Sequence, residues 1–180
     1  LQRKKLITRG TPIRVQSIGD GLKNRVYYVA APKASWIVKQ AHSRVQIKER
    51  WWLDRKRIFT EYSCIDILRQ FLPPEIIPES VMVDRTDFVL VTTSPPENAV
   101  LWEDDLSNGR IDLQIAVQCG ELLATVHNET AEHPELKTLF RDTKAFEQLR
   151  IEPHYEYVTN SFPDLKKVID AQTKRLKRET

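Results

Sequence analysis

The proline pair Pro73-Pro74 constrains the fold of this 180-residue chain more than any other feature. Proline inside a helix removes a backbone donor and clashes with the preceding turn. The helical spacing of Ile58, Tyr62, Ile65, Leu68 and Leu72 in LDRKRIFTEYSCIDILRQFL therefore ends there. One amphipathic helix, from about Leu53 to Leu72, is isolated among segments that read as strand. Upstream, TPIRVQSIG and RVYYVA flank the glycine-bearing turn GDGLKN, the pattern of a hairpin with a longer loop. KASWIVKQA adds a third strand after the turn at Pro32. Downstream, ESVMVDRTDFVLVTT supplies two more strands around a turn at Asp84 to Asp87. The second of these, FVLVTT, is apolar on both faces, as a central strand is.

Beyond the proline-marked connector SPPEN the pattern becomes helical. IDLQIAVQCGELLATVHNET places Ile111, Ile115, Cys119, Leu122, Leu123 and Val126 on one stripe. FPDLKKVIDAQTKRLKRET does the same with Leu165, Val168, Ile169, Gln172 and Leu176, after a proline in its first turn. DTKAFEQLRIEPHYEYVTN, between them, reads as a short helix and an irregular stretch. The expected organisation is a sheet unit over residues 1–94 and a helical unit over residues 95–180. The chain begins at Leu1 and ends at Thr180 inside a helical pattern with no stop signal, so the protein is expected to continue.

A hydrophobic content of 41% suits a globular chain, and a net charge of +3 with scattered cations does not call for nucleic acid. Two cysteines, Cys64 and Cys119, on apolar helix faces do not make a disulfide scaffold. No apolar run reaches the roughly 18 residues of a spanning helix. A cytoplasmic protein without a membrane partner is expected.

Two charges interrupt the apolar pattern. Glu61 falls near the middle of the helix's inner stripe, and Lys39 shares a strand face with Ile37 and Ala41. Burying an isolated charge costs several kcal/mol. An ammonium on a long stem can cross from strand to helix, so each residue explains the other. Strand lysines and helix glutamates ordinarily reach water instead. The order of features favours the pair: glycine turn, strand, strand with lysine, helix with glutamate, two strands, connector.

That order resembles the nucleotide-binding lobe of the protein-kinase-like fold, in its small-molecule branch, the aminoglycoside phosphotransferase and methylthioribose kinase families. GDGLKNRVYYV is similar to their phosphate loop, WIVKQA to their lysine strand and ERWWLDRKRIFTEYSCI to the approach to their glutamate helix. LWEDDL and CGELLATVHNET are similar to their stretch beyond the hinge, so the resemblance spans about residues 13–130. It implies an α+β protein: a five-stranded antiparallel N-lobe sheet with one helix, then the first helices of a mostly helical C-lobe. It implies ATP binding by Gly19, Asp20, Gly21 and Asn24 in the phosphate loop and by Lys39, paired with Glu61, on the phosphates. Val26 and Ile37 would cover the adenine, and the backbone of Thr92, Thr93 and Ser94 would meet its edge. The loop departs from the protein-kinase G-x-G-x-x-G spacing.

Phosphoryl transfer also needs an aspartate that orients the acceptor and groups that hold Mg2+. HYEYVTN, His154 to Asn160, comes nearest to the family's catalytic loop but carries Glu156 for the aspartate and has its Asn160 one residue early. It reads as a packing segment, so no catalytic residue is assigned and the metal ligands are expected beyond residue 180. The resemblance thus implies the front portion of a small-molecule kinase that phosphorylates a hydroxyl acceptor with ATP and Mg2+. The alternatives are a nucleotide-binding pseudokinase acting as a scaffold or regulator, and a basic module using Trp51 and Trp52 against nucleic acid.

Overall fold

The computed structural model describes residues 6–20, 23–45 and 51–179. It is an α+β structure in which a five-stranded antiparallel sheet precedes a series of helices. The strands are β1 (Arg14–Asp20), β2 (Asn24–Ala31), β3 (Ala34–Ala41), β4 (Ser80–Asp84) and β5 (Val89–Thr93). They lie side by side in the order β1-β2-β3-β5-β4. β5 is thus a central strand, and a core on each of its faces accounts for its doubly apolar sequence, with Leu90, Val91 and Thr92 all buried.

Each face of the sheet carries its own core. On one, Val29, Trp36 and Val91 are buried, with Leu6, Ile7 and Val38 packed against them. On the other, Ala41 and Leu90 meet Ile58 of helix α1 (Arg57–Phe71), with Phe59, Tyr62 and Ile65 around the contact. α1 begins four residues later than the apolar spacing suggests. Asp54 folds the chain into a side-chain-capped turn first, its Oδ1 accepting from the Lys56 N–H at 2.9 Å. The helix ends where the prolines require, and Arg69 donates to the Ile77 carbonyl at 2.6 Å, fixing the loop that follows.

The turn between β4 and β5 is held by Asp84, whose Oδ1 accepts from the N–H groups of Thr86 and Asp87. Phe88 leaves it with φ 55°, a strained value for a bulky residue. Its ring stacks on Phe59 at 5.4 Å, and the Arg55 guanidinium lies 4.0 Å above it.

The helices that follow are α2 (Trp102–Ser107), α3 (Leu113–Ala131), α4 (Glu135–Leu139), α5 (Lys144–Phe146), α6 (Tyr157–Ser161) and α7 (Lys166–Glu179). The stretch read as irregular is instead helical: wide π turns over Glu147–Glu156 join α5 to α6. Pro153 brings no N–H to the ladder, and wider turns accommodate it while Ile151 becomes fully buried. The expected stripes are only partly covered. No α3 residue is buried, and Ile111, just ahead of it, and Leu123 are exposed. In α7 the covered side runs through Ile169, Thr173 and Leu176, while Leu165, ahead of the helix, and Val168 face solvent. Cys64 and Cys119 are free and exposed rather than packed as small hydrophobes, although partial burial of the Cys64 thiol and the nearby Glu61 push its pKa up.

The segment before α1 joins the sheet to the later helices. Asp54 accepts from Lys144 at 2.9 Å and donates its own N–H to the Gln148 side chain at 2.9 Å. The Lys56 N–H, then Lys144, hold the Asp54 carboxyl below its usual range. A depressed carboxyl contributes stability above its unfolded pKa of about 3.9 and loses it as pH falls through the folded value. Lys144 is shifted up by Asp54, so its contribution is complete below about pH 10.4 and fades as pH rises through its folded value. Asp54→Asn is expected to lower the thermal midpoint by about 1–4 °C at pH 7, with the difference from wild type shrinking toward zero below about pH 4. A difference equally large at pH 3 would show that the contact does not depend on charge.

Candidate functional site

One row of the sheet carries the candidate site. Gly19 pairs with Val26, Val26 with Lys39, and Lys39 with Leu90. Directly opposed residues of antiparallel strands project to the same face. Gly19 follows an irregularity in the β1 register after Ser17, so the chain bends as it enters the glycine loop.

On this face α1 rests over the end near Ala41 and Leu90, and the loop after α1 faces the end near Ile37 and Thr92. Lys39 stands at the boundary. Its Nζ donates to Glu61 Oε1 at 2.7 Å, joining the central sheet to the helix across 22 residues of sequence. The two side chains were expected to be buried, yet they remain 33% and 34% exposed. Lys39 also lines the cavity beside the pair. At such exposure the bridge contributes under about 1 kcal/mol to stability.

The cavity has a volume of about 490 Å3 and is lined by Ile37, Lys39, Thr92, Thr93 and Ser94, together with the loop after α1 and the first connector prolines. That volume lies within the usual range for small-molecule sites. Thr92 is buried, and Ser94 Oγ lies 2.6 Å from Ser35 Oγ. Thr93 N–H donates to the Glu79 carbonyl at 3.0 Å, and Thr93 Oγ1 accepts from the Glu79 N–H. Ser94 N–H donates to the Ser35 carbonyl at 3.4 Å. Of the backbone groups expected to meet the edge of a base, the N–H groups of Thr93 and Ser94 are therefore committed within the protein.

Of the residues assigned from the sequence, Ile37, Lys39, Thr92, Thr93 and Ser94 share the cavity, and Glu61 joins them through Lys39. Val26 and Gly19 lie on the same sheet row, outside the cavity lining. Asp20 closes β1, its backbone paired with Arg25, while Gly21 lies outside the described residues. Asn24 has a structural engagement: its Oδ1 accepts from Arg57 at 2.9 Å.

Arg57 itself was not singled out from the sequence. Its guanidinium donates to the carbonyls of Lys23, His42 and Asp54 as well as to Asn24, pinning the exit of the glycine loop to the start of α1. Burial lowers its pKa, with Glu61 and Asp54 opposing the shift. Lys23 next to it is also shifted down, by burial first and then by the positive charges of Arg150 and Arg57. Composition marks Arg57 only as one cation among many at a helix start, and apart from Asn24 these partners are backbone carbonyls that no side-chain pattern reveals.

The two tryptophans do not lie under α1. Trp51 donates its indole N–H to Glu152 at 3.0 Å and sits 5.8 Å from the Tyr157 ring, whereas Trp52 is exposed. HYEYVTN is helical, and its Glu156 accepts from Lys177 at 3.1 Å. Among the described residues no group of three or more His, Cys, Asp or Glu is placed to hold a metal ion. Among them, too, no helix is long and apolar enough to cross a membrane. No protein-family model and no curated protein matches the chain.

Proposed function

We propose that this chain is the ATP-binding front portion of a small-molecule kinase with a protein-kinase-like fold, whose complete form transfers the γ-phosphate of ATP to a hydroxyl acceptor. The observation that carries this reading is the 2.7 Å bridge between Lys39 and Glu61 at the edge of a cavity that reaches the connector after β5. A bridge of this exposure adds little stability, so fold maintenance alone gives weak reason for a lysine in the middle of the sheet. A held ammonium facing a cavity is suited to phosphate oxygens. The strand order β1-β2-β3-β5-β4, with its helix between β3 and β4, gives further support.

In this reading the purine lies against Ile37 and the connector, Lys39 takes the phosphates, and Glu61 keeps Lys39 pointed at them. The exposed apolar side chains of α3, Leu113, Val117 and Leu123, are what a further layer of C-lobe helices would cover. The catalytic aspartate and the Mg2+ ligands would come from that layer. The test is to incubate the product of the complete reading frame with γ-labelled ATP and a panel of aminoglycosides, sugars and amino alcohols. Transfer of label to one acceptor class is expected. Nucleotide binding without transfer to any hydroxyl compound would favour the scaffold reading instead.

A further inference from the structure

The connector after β5 is unusual in what it withholds. Thr93 N–H is bonded to Glu79 and Ser94 N–H to Ser35. Pro95 and Pro96, which follow and also line the cavity, have no N–H. From Thr93 through Pro96 no main-chain donor is left for a ligand. The next N–H groups belong to Glu97 and Asn98, outside the cavity lining. What remains along this wall is carbonyl oxygen and the hydroxyls of Thr92, Thr93 and Ser94, of which Thr93 Oγ1 already accepts from the Glu79 N–H and Ser94 Oγ is bonded to Ser35 Oγ.

Adenine and guanine differ at the edge that such a wall would read. Adenine presents an amino donor beside a ring-nitrogen acceptor, and guanine a carbonyl acceptor beside ring N–H and amino donors. Strong discrimination needs a fixed donor or acceptor that the wrong base leaves unpaired. A fixed N–H facing the adenine ring nitrogen would provide one, and here none is available. Carbonyls accept from the amino group of either base, and the Thr93 and Ser94 hydroxyls, already bonded within the protein, supply no fixed donor in place of the missing N–H.

We propose that this cavity takes purine nucleoside triphosphates without selecting adenine over guanine, and that the Pro95-Pro96 pair is the cause. This rests on the reading of the cavity as a nucleotide site. Shape and apolar contact with Ile37 would still favour a purine, while Lys39 reads only the phosphates.

The test is calorimetric titration of the chain with ATP and, separately, with GTP. The expected dissociation constants agree within about thirtyfold, far below the selectivity of a site with a matched donor. Replacing both prolines, Pro95→Ala and Pro96→Ala, restores two N–H groups at exposed positions and should shift the preference toward ATP. Binding of ATP with GTP weaker by more than about thirtyfold, or a preference that the double variant leaves unchanged, overturns this inference and leaves the nucleotide reading standing. Binding of neither nucleotide overturns both.

Discussion

Lys39→Ala is expected to weaken ATP binding by at least about tenfold while leaving the urea midpoint nearly unchanged. A charged hydrogen bond to an ionised partner is worth about 1.5–3 kcal/mol, and tenfold in affinity corresponds to about 1.4 kcal/mol. The stability term is smaller, because both side chains of the bridge are about one-third exposed and water solvates whichever partner is left. The two readouts therefore separate the roles. A structural bridge would cost stability and leave any nucleotide affinity intact, whereas a phosphate-binding lysine does the reverse. Lys39→Arg keeps the charge but presents a planar fork, so it should recover only part of the affinity.

The second large effect lies one residue across the sheet. Leu90 is fully buried, pairs with Lys39 and forms the contact between sheet and helix with Ala41 and Ile58. Leu90→Ala should lower the unfolding free energy by about 3–5 kcal/mol, the upper range for a cavity left in a packed core. It also removes the support that sets the height of α1 over the sheet, and with it the reach of Glu61 toward Lys39. Urea denaturation measures the first effect. A loss below about 1 kcal/mol would mean that α1 does not bear on this strand.

The sheet and α1 were legible because their signals are local: a glycine turn between apolar alternations, a strand apolar on both faces, and a proline pair that stops a helix. The Lys39 and Glu61 contact was legible for a different reason. Each residue violated the pattern of its own element, and the two violations cancelled. The pair's exposure was not legible, since it depends on how far α1 extends over the face, which spacing does not encode.

Three features stayed hidden for physical reasons. The delayed start of α1 follows from the Asp54 turn, which competes with helix for the same backbone groups. Arg57 works through carbonyls brought together from three separate segments. The helicity of residues 144–161 around Pro153 is decided by burial of Ile151, a tertiary gain that overrides the local cost of proline. In α3 the periodicity named a face, but a stripe specifies only where apolar side chains lie and says nothing about what covers them.

Calorimetric titration of the chain with ATP asks directly whether the face that carries Lys39 accepts a triphosphate. The predicted result is saturable binding with a dissociation constant of about 10 μM to 1 mM, lost or weakened at least about tenfold in Lys39→Ala. No heat of binding up to about 10 mM ATP, or equal binding by wild type and Lys39→Ala, would contradict it.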